Sequence, residues 1–126
     1  MSFETVILAD GSFPQHQVPL GLLRDAKRII CCDGSVKNLL EAGLEPCAIV
    51  GDLDSVTEEI SLRYRSILYR DSDQATNDLT KAFKWCCEKG FRETAILGAT
   101  GKREDHTLGN ISLLAEYVRD AYIIMV

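Results

Sequence analysis

The stretch Cys47-Ala48-Ile49-Val50-Gly51-Asp52-Leu53-Asp54-Ser55 sets an apolar run directly against a glycine and two acids. An unbroken apolar run, as opposed to a strict apolar–polar alternation, suits a strand covered on both faces, as in a parallel sheet. The same phrase recurs along the chain. Thr5 to Ala9 is followed by Asp10-Gly11, and Arg28 to Cys32 by Asp33-Gly34-Ser35. A weaker run, Ser66 to Tyr69, leads into Asp71-Ser72-Asp73-Gln74-Ala75-Thr76-Asn77-Asp78, and Thr94 to Leu97 into Gly98-Ala99-Thr100-Gly101-Lys102-Arg103-Glu104-Asp105-His106. Ala121 to Val126 completes the series.

Between these runs the apolar residues take the helical period. Val36, Leu39 and Leu40 form one stripe, ended by Gly43 with Pro46 beyond; Leu79, Ala82, Phe83 and Cys86 form another, ended by Gly90. Leu108, Ile111, Ala115 and Val118 form a third. Thr57 to Arg65 reads as a weaker helix opened by a capping box at Ser55 and Glu58. Pro14 and Pro19 mark a loop before a short helix near Leu22-Leu23. Strand and helix in alternation predict an α/β fold: three layers, a mainly parallel, Rossmann-like sheet of about six strands, and helices on both faces.

In such a sheet the segments after the strands gather along one edge, the carboxyl edge, where ligands bind. Topology therefore brings acids distant in sequence together. Two carboxylates about 5 Å apart repel by roughly 3 kcal/mol at an effective dielectric near 20. A cluster of them calls for a cation or for protons, and hard oxygen ligands favour Mg²⁺. Taken singly, each acid also fits a plainer role. Asp33 and Asp73 suit turns, while Asp54 and Asp78 suit the first turn of a helix. Gly98-Ala99-Thr100-Gly101-Lys102-Arg103 lacks the spacing of a P-loop and of the dinucleotide fingerprint, yet it is a small-residue turn able to bring N–H groups and cations to phosphate. His106 suits a capping role as well as a catalytic one, and His16 has no special claim.

Four blocks in order carry a family resemblance: Asp33-Gly34-Ser35; Gly51-Asp52-Leu53-Asp54-Ser55; Asp73 to Asp78 with Lys81; and Gly98 to His106 with Leu108-Gly109-Asn110. They resemble thiamine pyrophosphokinase. The resemblance implies Mg²⁺-dependent transfer of a pyrophosphoryl unit from ATP to the hydroxyl of thiamine, giving thiamine diphosphate and AMP. It assigns Asp52, Asp54 and Asp78 to Mg²⁺, with Asp105 nearby as a further ligand or as the group orienting the hydroxyl. Asp78, Asp105, Lys81 and Arg103 are then the catalytic candidates. Gln74, Thr76, Lys81 and Arg103 would contact phosphates, and Asp33, Gly34 and Ser35 would line the nucleotide pocket. The resemblance further implies a homodimer and a second, β-rich domain that helps hold thiamine. Residues 1–126 do not include such a domain, and their close inside an apolar strand predicts that the polypeptide continues and that this ATP- and Mg²⁺-binding piece alone is insufficient for turnover. Asp10 stands where the family often has asparagine, and Lys102 where a second glycine is common.

Two other readings remain open. An apolar strand before Asp52-Leu53-Asp54-Ser55-Val56 imitates a haloacid-dehalogenase-type phosphatase, in which Asp52 would be the nucleophile; two strands precede it here, whereas that motif opens its domain. A non-catalytic nucleotide-binding module is the other.

Composition narrows the class. A chain of 126 residues, 46% hydrophobic, makes one globular domain. Its net charge of −5 argues against a nucleic-acid surface, and the basic stretch Arg63 to Arg70 reads as a helix end running into a strand. No apolar run is long enough to span a membrane, and no secretory signal opens the chain, so a cytoplasmic location is expected. Five cysteines, Cys31, Cys32, Cys47, Cys86 and Cys87, show no CxxC spacing and read as free thiols in the core.

Overall fold

The computed structural model describes residues 4–10, 13–72, 78–91 and 93–98, and the backbone of 122–125. The order is β1 (Thr5–Leu8), α1 (Gln17–Asp25), β2 (Arg28–Cys32), α2 (Ser35–Glu41), β3 (Ala48–Gly51), α3 (Glu58–Arg63), β4 (Leu68–Arg70), α4 (Asp78–Glu88), β5 (Glu93–Leu97) and β6 (Tyr122–Met125). A 3₁₀ turn, Arg65–Ile67, leads into β4, so the basic stretch is a helix end and a strand. The third helical stripe, from Leu108 to Val118, lies outside the described residues.

Five parallel strands with described side chains stand in the order β4-β3-β2-β1-β5, and the backbone of β6 pairs in parallel beyond β5. Successive residues of each strand point to opposite faces. Val6, Leu8, Ile29, Cys31, Ile49, Ala95 and Leu97 join Leu22 and Leu23 of α1 and Val36 and Leu39 of α2 in one buried cluster. Ile7, Ile30, Cys32, Val50 and Ile96 join Leu79, Ala82, Phe83 and Cys86 of α4 in the other. Both faces are thus covered, which explains why the strands read as unbroken apolar runs.

Handedness explains which helix takes which face. From β1 to β4 the chain steps steadily in one direction, and right-handed crossovers place α1 and α2 together. The return from β4 to β5 beside β1 reverses the step, so α4 crosses the other face, over β3, β2 and β1. Its first residue, Asp78, is thereby delivered to the carboxyl edge in front of β2 and β3.

Three expectations need correction. Pro19 lies inside α1, not in a loop before it: it is the third helical residue, in the first turn, where a missing N–H breaks no helical bond. The cap of α3 is Thr57, whose hydroxyl accepts the Ile60 N–H at 3.3 Å, while the Ser55 N–H donates to Asp33 at 3.3 Å. Cys47 precedes β3 and is exposed, so only Cys31, Cys32 and Cys86 are fully buried core thiols.

All five cysteines are free. Burial pushes the Cys31 and Cys86 thiols up to about 12, far from the thiolate form that reacts. A thiol reagent at pH 8 is therefore expected to modify Cys47 first and to spare Cys31, Cys32 and Cys86 until denaturant is added, when all five react. Rapid native modification of Cys31 or Cys86 would contradict this packing.

Candidate metal and phosphate site

Among the described residues, three carboxylates meet at the carboxyl edge. Asp33 follows β2, Asp52 follows β3 and Asp78 opens α4; one ligand oxygen from each lies within 4.8 Å of the others. Backbone geometry places them. Asp33 has φ 27°, in the left-handed region, while its N–H still donates to the Val50 carbonyl at 3.1 Å. Gly51 has φ 152°, which a side chain rarely adopts, and a Cβ there would stand 3.1 Å from Asp78 Oδ1 and 3.2 Å from Asp33 Cβ. The site closes around the bare backbone of this glycine. Leu53, at φ 69°, packs its side chain against the α1–α2 cluster, and Asp52 Oδ1 accepts the Asp54 N–H at 3.1 Å.

The electrostatics fit three acids sharing too little charge compensation. Burial, a hydrogen bond with Asp52 and the charges of Asp78 and Asp52 push the Asp33 carboxyl up to about 7. Burial and the Asp52 charge also raise Asp78, against the opposing pull of Lys81, whose Nζ lies 3.9 Å from Asp78 Oδ1. Asp52 is held below its usual range by the Asp54 N–H and the hydrogen bond with Asp33. Asp33 is only 3% exposed, which makes an uncompensated charge there costly.

This sets a pH dependence. An acid whose folded pKa is raised from 3.8 to about 7 binds more protons folded than unfolded across that window, so stability falls as pH rises through it. Asp78 shifts in the same direction, and Asp52 acts only at more acidic pH. In chelator, the unfolding free energy should fall between pH 5.5 and pH 7.5 by up to about 1.4 kcal/mol per pH unit for one proton, and the melting temperature with it. Millimolar Mg²⁺ should flatten the drop. A melting temperature that rises over this window in chelator would contradict the arrangement.

The donor set suits Mg²⁺. Octahedral Mg²⁺ takes oxygens at about 2.1 Å, so ligand atoms sit roughly 3 to 4 Å apart, and three carboxylate oxygens within 4.8 Å need little closing.

The remaining expected residues distribute as follows. Asp33, expected in a nucleotide pocket, is a member of the acid triad. Asp54 is exposed and outside the triad. Gly34 is the N-cap residue just before α2; a Cβ on it would meet Asp10 Oδ2 at 2.9 Å, so Asp10 also reaches this edge. Its place after β1 was the one sequence signal for that. Ser35 is buried, and its hydroxyl donates to the Leu8 carbonyl at 2.9 Å, tying β1 to α2 beneath the site. Lys81 is buried one turn into α4. Gln74, Thr76, Arg103, Asp105 and His106 lie outside the described residues.

A parallel α/β sheet with an acid cluster at its carboxyl edge defines a class of α/β domains whose ligands bind at that edge. Within it, residues 20–126 match the family model for the thiamin pyrophosphokinase catalytic domain, and the chain belongs to that family. It is 38% identical over 121 residues to thiamine pyrophosphokinase of Bacillus subtilis, covering 90% of this chain and 55% of that protein. Thiamin pyrophosphokinase 1 of Caenorhabditis elegans is 31% identical, over 77% of this chain and 43% of its own length. The solved structure of thiamin pyrophosphokinase from Geobacillus thermodenitrificans superposes with a TM-score of 0.71 at 28% identity, covering 100% of this chain and 59% of that one. The chain thus spans about half the length of the curated relatives it matches. Among the described residues no helix is long and apolar enough to cross a membrane.

Proposed function

We propose that this chain is the nucleotide- and magnesium-handling part of a cytoplasmic, homodimeric thiamine pyrophosphokinase, with a three-layer Rossmann-like fold. The single observation that supports it most is the triad Asp33, Asp52 and Asp78, set at the carboxyl edge of a sheet of this family. These three carboxylates would hold Mg²⁺, which would offset phosphate charge when bound. Asp54 is near enough in sequence to serve through water. In the reaction the thiamine hydroxyl oxygen bonds to the β-phosphorus of ATP, the bond from that phosphorus to the α-phosphate oxygen breaks, the hydroxyl proton is released, and AMP leaves.

Little covalent work falls to the protein, so positioning and charge dominate. Asp78 serves both the metal and the substrate side of the site. Lys81 acts as a point charge, and Gln74, Thr76 and Arg103 take the phosphates with it. Asp105 orients the hydroxyl, and Gly34 with Ser35 shapes the turn beside the nucleotide.

The test is product identity. Incubation of the whole gene product with thiamine, Mg²⁺ and ATP carrying label at the γ-phosphate should yield AMP and labelled thiamine diphosphate, and leave the protein unlabelled. ADP as product, or a covalent phosphate on Asp52, would overturn the reading and favour the phosphatase.

A further inference from the structure

A hollow of about 590 Å³ lies between the edge strand β4 and helix α4. Arg70, at the end of β4, forms one wall; Lys81, Lys84, Trp85 and Glu88 form the other. Those four are spaced along one face of α4. The hollow adjoins the acid triad, because Lys81 lines it and also reaches Asp78 at 3.9 Å. Arg70 and Lys81 both lie close enough to act on the Asp52 carboxylate.

The Lys81 side chain is 4% exposed, and the contact to Asp78 is longer than a hydrogen bond. Burying an ammonium is costly unless charge of the opposite sign stands near it, and a metal on the triad would draw Asp78 away from this partnership. Among the described lining residues three cations stand against two acids, Asp71 and Glu88, and a divalent cation on the neighbouring triad would offset the carboxylates there. The surplus disfavours a cation such as the thiazolium of thiamine and favours phosphate.

We infer that Arg70 and Lys84, together with the buried Lys81, receive the polyphosphate of the nucleotide on the β4 side of the acid triad. This rests on the proposed ATP-dependent activity and adds two residues that the family motifs leave out. Arg70 can grip two oxygens of one phosphate, while Lys84 supplies a mobile point charge at the rim. The exposed Arg70 and Lys84 thereby gain a shared ligand across the hollow, which neither finds in the other.

The probe is magnesium tripolyphosphate, followed by calorimetry and by emission of Trp85, the sole tryptophan of the chain. The unsubstituted protein should bind it with a change in emission. Arg70→Ala and Lys84→Ala should each weaken binding about tenfold, while Lys37→Ala, on α2 across the sheet, should leave it unchanged. Wild-type affinity in both Arg70→Ala and Lys84→Ala would overturn the inference while leaving the proposed function standing. An absence of binding by the unsubstituted protein would overturn both.

Discussion

Asp52→Asn is expected to weaken Mg²⁺ binding by at least about a hundredfold while leaving the protein folded. The substitution keeps the volume, and the amide oxygen can still accept the Asp54 N–H that Asp52 Oδ1 holds at 3.1 Å. What it removes is the charge that sits between Asp33 and Asp78 and raises both. In chelator at pH 8 the melting temperature should therefore rise by about 2–4 °C, since repulsion within the triad is relieved. Titration calorimetry with Mg²⁺ and a thermal scan together check this. Undiminished Mg²⁺ affinity in Asp52→Asn would remove Asp52 from the site, whatever the scan showed.

Gly51→Ala should be the most damaging small substitution at the carboxyl edge. The residue has φ 152°, and its new Cβ would face Asp78 Oδ1 at 3.1 Å and Asp33 Cβ at 3.2 Å. Backbone strain of this kind costs about 1–3 kcal/mol, or roughly 4–12 °C in a domain of this size. Spreading Asp33 from Asp78 should also abolish Mg²⁺ binding. Gly21→Ala is the control: it lies within α1, nothing stands within 4 Å of its Cβ position, and alanine is the better helix former. That variant should be as stable as the parent or slightly more so. Equal melting temperatures and equal Mg²⁺ affinities for Gly51→Ala and the parent would show that the site does not depend on the bare backbone of Gly51.

Much of this geometry was legible because topology, more than any local motif, creates it. Unbroken runs such as Val6-Ile7-Leu8 and Ile29-Ile30-Cys31-Cys32 require cover on both faces, and the two clusters supply it. Once the strands run parallel, Asp10, Asp33, Asp52 and Asp78 must approach one another at the same edge. Which acids meet was less legible. The spacing Asp52-Leu53-Asp54 suggests two carboxylates on one side, as along an extended strand. Leu53 at φ 69° breaks that alternation, and Asp33 at φ 27° completes the triad with Asp52 and Asp78. Neither residue is a glycine, so no letter of the sequence marks either turn. That Thr57 caps α3 in place of the expected Ser55 was similarly hidden, because the Ser55 N–H is claimed by Asp33, a residue 22 positions away. Cys47 sits one residue before a buried strand, where periodicity alone could not separate core from edge.

Asp33, Asp52 and Asp78 together make the proposed divalent-cation site. Mn²⁺ shares the oxygen-ligand chemistry of Mg²⁺ and scatters anomalously, so crystals grown with Mn²⁺ locate the ion without reference to any assay. An anomalous peak bounded by one oxygen from each of the three carboxylates, near the backbone of Gly51, is the expected result. A peak elsewhere in the protein, with none among these three residues, would contradict it.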